Sequence, residues 1–140
     1  MSVMRTADLL RRGMAALVEP LGITVQQFNV LRILRGGGPD GLPTLEVGAR
    51  MVEEAPGITR RLDRLERKGL VRRQRCPKDR RQHLCWITPQ GLDLLASLDE
   101  PVVTRSREML KGLNRGEQAA LVRLLDRLRA ANDYTGAHLS

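Results

Sequence analysis

The fold is decided by the stretch Ile58-Thr-Arg-Arg-Leu-Asp-Arg-Leu-Glu-Arg-Lys-Gly-Leu-Val71. At 100° per residue, Ile58, Leu62 and Leu65 fall within about 60° of one another on a helix, so they form a buried stripe. Arginines occupy the opposite side, and Gly69 provides the left-handed residue that commonly ends a helix. The stretch therefore predicts a helix that runs to Lys68, with one apolar face and one arginine-rich face.

Three further helices are predicted before this stretch. Helical spacing of apolar residues places them at about residues 6–19, 24–34 and 45–51. Thr24 and Gln27 have the spacing of a capping box at the start of the second helix. Thr44 is expected to cap the short third helix, and Pro56 is expected in the first turn of the fourth, where its missing N–H costs nothing.

A change of pattern follows the fourth helix. Residues 70–76 and 83–87 read as two strands around a charged loop at residues 77–81. Thr88 and Pro89 open a long helix that Pro101 is expected to kink or divide. Asn114 with Glu117 begins a last helix that ends near Asn132. The order predicts a mainly α fold with a small β-hairpin (α+β).

The positive charge of the chain lies in one segment. Residues 59–81 hold eleven basic and three acidic side chains, so their net charge of +8 equals that of the whole protein. The basic residues are Arg60, Arg61, Arg64, Arg67, Lys68, Arg72, Arg73, Arg75, Lys78, Arg80 and Arg81. A segment with such concentrated charge is typical of a protein that binds a polyanion.

A short helix, a turn and a second helix with an arginine-rich outer face make a helix-turn-helix arrangement, whose second helix enters the major groove of DNA. Arginine suits this position because its planar fork can donate two hydrogen bonds to guanine. The alternative is that the arginines form ion pairs on a solvated face. Arg60 and Arg64 are a like-charged pair that this alternative does not favour, but Glu66 could pair with an arginine one turn away.

The hairpin adds to the nucleic-acid interpretation. Its loop carries Lys78, Asp79, Arg80 and Arg81 beyond strands that are themselves basic. A loop of this kind can reach the minor groove, whose negative potential favours inserted arginine. A loop that is exposed only for solubility is the alternative.

Three stretches resemble the signature segments of MarR-family regulators. They are residues 23–31, residues 58–71 and Asp79-Arg-Arg-Gln-His-Leu-Cys-Trp-Ile-Thr-Pro-Gln-Gly91, and the resemblance is collinear from about residue 5 to residue 132. It implies a single MarR-like domain over residues 1–140. In such a domain, a winged helix-turn-helix at residues 24–88 is mounted on a helical dimerisation part at residues 5–21 and 89–132.

The resemblance also implies a function. A homodimer is expected to bind double-stranded DNA at a palindromic operator, usually to repress transcription, and a small-molecule effector is expected to release it. By position, Arg81 corresponds to the wing arginine that enters the minor groove, and Asp79 to the acidic residue that orients it.

One segment departs from the family pattern. The recognition helix of the family usually begins with a turn rich in serine, threonine and lysine, whereas this chain has Glu53-Glu-Ala-Pro-Gly57. Direct reading of bases is therefore expected to depend on Thr59, Arg60 and Arg64, unless the small turn permits closer approach to the groove. The residues expected to contact DNA are Thr44, Thr59, Arg60, Arg61, Arg64, Arg67, Arg80 and Arg81.

Other chemistry is not indicated by the sequence. Cys76 and Cys85 could form a redox-sensing pair, although Cys85 shares strand parity with Ile87, which favours a buried apolar role. No cluster of residues has the spacing of a metal or catalytic site, so we expect no metal, no cofactor and no enzyme activity. Trp86 could line a ligand pocket or pack against the hairpin.

Composition limits the other classes of protein that the sequence could represent. One Phe, one Trp and one Tyr leave little for stacking unpaired bases, which disfavours an RNA-binding protein. A winged helix used only for protein contacts would leave the charge unexplained. The apolar run at residues 14–18 is too short for a membrane span, and two cysteines make no disulfide framework, so a cytoplasmic protein without a membrane partner is expected.

Overall fold

The computed structural model describes residues 1–51 and 57–136, with side chains to residue 132. Its helices are α1 (Ser2–Val18), α2 (Val25–Gly36), α3 (Thr44–Ala49), α4 (Ile58–Arg67), α5 (Pro89–Met109) and α6 (Arg115–Gly136). Its strands are β1 (Leu42–Pro43), β2 (Val71–Arg75) and β3 (His83–Ile87), and a 3₁₀ turn at Glu19–Leu21 follows α1. The predicted order of four helices, a hairpin and two helices is therefore confirmed.

The chain forms two compact units, Met1–Thr104 and Arg105–Ser140. The core of the first unit is formed by buried apolar side chains from five helices and all three strands. Its fully buried members include Leu31, Leu62, Leu65, Leu95, Val18, Val30, Val47 and Cys85. In the second unit, Asn114 and Glu117 form the predicted reciprocal cap of α6. Gln118 Nε2 there donates to the carbonyls of Leu110 and Leu113.

Local chemistry sets several boundaries where the sequence places them. The Thr24 hydroxyl accepts from the Gln27 N–H and the Gln27 side chain accepts from the Thr24 N–H, so the capping box is present at the start of α2. Thr88 Oγ1 accepts from the Gly91 N–H at 3.1 Å at the start of α5. Gly69 has φ +74° directly after α4, as the helix-ending role requires.

Other boundaries differ from the prediction. Helix α1 begins at Ser2 instead of Thr6, α5 continues through Pro101 without dividing, and α6 extends past Asn132 to Gly136. The expected cap by Thr44 is wrong, because Pro43 is the N-cap of α3 and Thr44 is its first helical residue. Pro56 lies outside the described residues, and the described part of α4 begins at Ile58 after Gly57.

The wing is a three-stranded antiparallel sheet in the order β1-β3-β2, whereas the sequence predicts only β2 and β3. Strand β1 has two residues and pairs Leu42 with Cys85, so it is too short to leave an alternating pattern. Gly41 precedes β1 at φ +72°, and a Cβ there would lie 2.6 Å from the Trp86 ring. A glycine is therefore required where the α2–β1 connection passes over β3.

Candidate nucleic-acid interface

Helix α4 has the two faces that its sequence predicts. Leu62 and Leu65 are fully buried, and Ile58 packs against the same core. On the other side the arginines Arg60, Arg64 and Arg67 are exposed, together with Thr59. The buried stripe is confirmed, and its burial fixes the direction in which the arginines point.

The N-terminal turn of α4 forms an open cleft lined by guanidinium groups. Gly57, Arg60, Arg61 and Arg64 surround a volume of about 480 Å³. Arg61 is half-buried, and its Nη1 has no hydrogen-bond partner among residues 1–51 and 57–132. Gly57 is the N-cap at φ +91° and contributes no side-chain cap. This cleft can accept a phosphate or the acceptor edge of a base, because it offers several N–H donors and positive charge.

The two acidic residues of α4 turn towards the sheet. Arg73 of β2 donates through Nη2 to Asp63 Oδ1 and, at 3.2 Å, to Glu66 Oε1. Glu66 Oε2 also accepts from the backbone N–H of Arg73 at 3.1 Å. In the described part of the chain, neither acid pairs with an arginine of its own helix. The alternative of ion pairs along a solvated helix face is therefore wrong for Asp63 and Glu66.

Arg73 lies on the inner face of β2 and does not belong to the exposed basic surface. Its side chain is 16% exposed, whereas Asp63 and Glu66 are 41% and 43% exposed. Burial by itself lowers the pKa of Arg73, but hydrogen bonds to Glu66 and Asp63 and their charges outweigh it, so the pKa is raised overall. Grouping Arg73 with the other basic residues of the hairpin is wrong, although strand parity with buried Val71 could have revealed it.

The wing loop is shaped by Asp79. The Asp79 carboxylate accepts from the backbone N–H of Arg81 at 3.0 Å, and its carbonyl accepts from the N–H of Gln82 at 3.0 Å. The Cys76 N–H donates to the Gln82 carbonyl at 2.8 Å and closes the base of the loop. Arg80 and Arg81 are exposed at the tip. In this structure Asp79 thus holds the backbone of Arg81.

The side chain of Thr44 contacts strand β3. It is half-buried, and its hydroxyl donates to the His83 carbonyl at 3.4 Å and lies 3.6 Å from Cys85 Sγ. Contacts with β3 therefore occupy this hydroxyl.

Trp86 packs on the outer face of the sheet. Its Nε1–H donates to the Pro39 carbonyl at 2.9 Å, and the Arg72 guanidinium lies 4.2 Å from the ring centroid. Of the two roles left open for Trp86, these contacts favour packing on the hairpin. Arg72 is exposed but stacked on this ring, on the face opposite to Arg73.

The two cysteines lie in different surroundings. Cys85 is fully buried in the core, as its strand parity predicts, and burial raises the pKa of its thiol. Cys76 is half-buried at the base of the wing loop. A raised pKa keeps the Cys85 thiol protonated at neutral pH, which disfavours it as an oxidant sensor. The described residues contain no cluster of His, Cys, Asp or Glu that could hold a metal ion.

Comparison with known proteins agrees with this geometry. The model of the MarR family matches residues 21–82. The crystal structure of a MarR transcription factor from Planctomyces limnophilus is 37% identical, with a TM-score of 0.70 over 89% of this chain and 90% of that one. The chain belongs to the MarR family.

Two further relatives of this MarR-family protein are regulators. A cysteine-to-serine variant of Escherichia coli MarR in complex with operator DNA is 28% identical, with a TM-score of 0.82 over 90% of this chain and 89% of that one. A Thauera aromatica protein described as a transcriptional regulatory protein for the hcr operon is 27% identical over 138 residues, which cover 93% of this chain and 82% of that protein. The chain is a DNA-binding transcriptional regulator with a winged-helix fold. Among the helices described, none is both long enough and apolar enough to cross a membrane.

Proposed function

We propose that this MarR-family protein is a homodimeric repressor that binds a palindromic operator and is released by a small-molecule effector. Helix α4 of each subunit enters the major groove, and the tip of the wing enters the adjacent minor groove. The observation that carries the proposal is the outer face of α4. The arginines Arg60, Arg64 and Arg67 are exposed there, while both acidic residues of the helix are paired with Arg73 of β2.

The contacts divide by position along this surface. Thr59, Arg60 and Arg64 face the bases, since they lie on the exposed side of the first turns of the helix. Arg61 and Arg67 hold phosphates on either side. Arg81 enters the minor groove with Arg80 beside it, and the Asp79 carboxylate keeps the loop backbone in place. Thr44 contributes least, because its hydroxyl already has partners on β3.

The dimer is proposed to form through the terminal helices, residues 5–21 and 89–132, while residues 24–88 bind DNA. Helix α1 exposes Val3, Met4 and Leu9 at 58%, 73% and 59%. Helix α6 exposes a series of apolar side chains at 36–59%, namely Leu121, Val122, Leu124 and Leu128. Apolar surface of this kind favours association, and two-fold symmetry would place two recognition helices against the two halves of a palindrome.

Support for the operator comes from the relative whose structure contains operator DNA. We further propose that the protein acts in the cytoplasm, where such an operator lies, and has no catalytic activity of its own.

The test is selection of a duplex from a random-sequence pool by the full-length protein, followed by footprinting. We expect a palindrome whose half-site centres are about 10 base pairs apart, or a multiple of that spacing. Analytical ultracentrifugation should show a dimer, with one dimer bound per duplex. Selection of no sequence, or a stable monomer at micromolar concentration, would contradict the proposal. Stronger binding to single-stranded RNA than to duplex DNA would favour the RNA-binding alternative.

A further inference from the structure

We infer that Asp63, Glu66 and Arg73 form an ionic clamp that fixes the wing against the recognition helix, so that Arg73 is a positioning residue for DNA binding. The inference rests on the proposed function, in which α4 and the wing contact neighbouring grooves. It concerns three charged residues that the DNA contacts leave unused.

The clamp joins the two elements through backbone and side chain together. Glu66 accepts from the Arg73 backbone N–H at 3.1 Å and from its guanidinium at 3.2 Å, while Asp63 accepts from the same guanidinium nitrogen. Strand β2 is an edge of the sheet, so its outward N–H groups have no neighbouring strand. Glu66 supplies the acceptor that a further strand would have provided, and it thereby ties the edge of the wing to α4.

The clamp is a poor device for stability alone. Arg73 is 16% exposed, and its buried Nε has no hydrogen-bond partner among residues 1–51 and 57–132. Replacement of a whole buried ion-pair group by apolar side chains is often neutral for stability, whereas removal of one partner alone leaves uncompensated charge. The packing of β2 on α4 already rests on Leu62, Leu65 and Val71, which are buried. The ion pairs add a fixed orientation of β2 relative to α4.

A fixed orientation matters because α4 and the wing must enter two neighbouring grooves of the DNA at the same time. If the wing could turn relative to α4, binding would have to order it, and part of the affinity gained by Arg81 would be lost to that ordering. The clamp also pairs two carboxylates that lie on the same helix as Arg60, Arg64 and Arg67. These mechanical and electrostatic effects can be separated by substitution.

The test is a double-mutant cycle on the full-length protein with a duplex that the wild type selects from a random pool. In the wild type, Arg81→Ala is expected to weaken binding about tenfold. Arg73→Met is expected to weaken binding about tenfold as well, and in its presence Arg81→Ala should cost only about threefold or less. Arg73→Lys should restore part of the affinity, since one ammonium can reach one carboxylate but cannot copy the fork.

Two control variants distinguish the loss of the clamp from the loss of a positive charge. Arg72→Met removes the same charge from the adjacent residue of β2, whose side chain stacks on Trp86 on the opposite face of the strand. The triple variant Asp63→Asn, Glu66→Gln, Arg73→Met leaves no buried unpaired charge and makes each subunit more positive by one. Electrostatics alone predicts that the triple variant binds DNA at least as tightly as the wild type. The clamp predicts that it behaves like Arg73→Met in the cycle.

Each outcome decides the inference. It is overturned if Arg73→Met binds no more weakly than Arg72→Met, or if Arg81→Ala keeps its full effect in the Arg73→Met and triple backgrounds. Should Arg73→Met fail to fold by thermal unfolding, the triple variant carries the same test. If Arg81→Ala has no effect in the wild type, the proposed wing contact is wrong, and that failure is distinct from failure of the clamp.

Discussion

Helix α4 and strand β2 are neighbouring segments that are both rich in arginine, with four of ten and three of five residues, yet the fold uses their arginines differently. On α4, Arg60, Arg64 and Arg67 lie on one exposed face. On β2, alternation sends Arg72 to the outer face, where it stacks on Trp86, and Arg73 to the inner face, where it pairs with the acids of α4. A helix gathers charges spaced three and four apart, whereas a strand separates adjacent ones.

The net charge of a segment therefore does not give the amount of exposed positive charge that is available to contact DNA. Residues 59–81 carry a formal +8, but one of their cations and two of their anions are paired with one another. Because both acids pair with Arg73, the arginines of α4 are offset by fewer unpaired negative charges than the sequence suggests.

The largest effect is expected from salt. If the basic face of α4 and the wing tip contact DNA in both subunits, about six to ten phosphates are neutralised per dimer, which gives a log–log slope of about −5 to −9. Affinity for a duplex should then fall by roughly 10³- to 10⁵-fold between about 50 and 200 mM salt. Fluorescence anisotropy with a labelled duplex measures it. A slope shallower than about −2 would mean that the arginines of both regions are structural.

The second largest effect is expected when a side chain on the buried face of α4 is truncated. Leu65→Ala should lower the free energy of unfolding by about 2–5 kcal/mol, because Leu65 is fully buried and its truncation leaves a cavity. Arg64→Ala, one residue away on the exposed face, should change it by less than about 0.5 kcal/mol. Urea denaturation of the two variants provides the measurement. Equal destabilisation by both would show that the two faces are wrongly assigned.

Substitution of the helix arginines comes third. Arg60→Ala or Arg64→Ala should weaken binding to a selected duplex by about 1–3 kcal/mol and relax base preference at the contacted position. The reason is that a bidentate contact to a base is lost while the fold is kept. Repeating the selection with each variant shows which base position changes. If both variants bind the duplex with the affinity and the base preference of the wild type, α4 is not the recognition helix.

The smallest effect is expected on the outer face of the strand. Arg72→Met should cost about 0.5–1 kcal/mol of stability, since its cation–π contact with Trp86 is exposed. It should change duplex affinity by no more than about threefold, because a charge that does not touch DNA is largely screened beyond about 10 Å. Trp86 is the single tryptophan of the chain, so its fluorescence reports the lost contact directly. A loss of affinity as large as that of Arg64→Ala would place Arg72 at the interface.

Much of the fold could be predicted from local patterns. The capping boxes at Thr24 and Asn114, the end of α4 at Gly69 and the start of α5 after Thr88 all depend on side chains within a few residues. The buried stripe of α4 follows from its period in the same way. Strand β1 could not be predicted, because two residues make no pattern and pair only with β3, about forty residues away.

The sequence by itself determined that α4 would have an apolar and a basic face, since helical periodicity is a property of consecutive residues. It also determined that the cationic charge would be concentrated in residues 59–81. Only the tertiary structure decided which charges face outward. Asp63 and Glu66 pair with Arg73 because the sheet packs next to α4, and the Thr44 hydroxyl bonds to His83 because β3 lies beside it. Such pairings depend on the distance between elements in space, which local sequence does not specify.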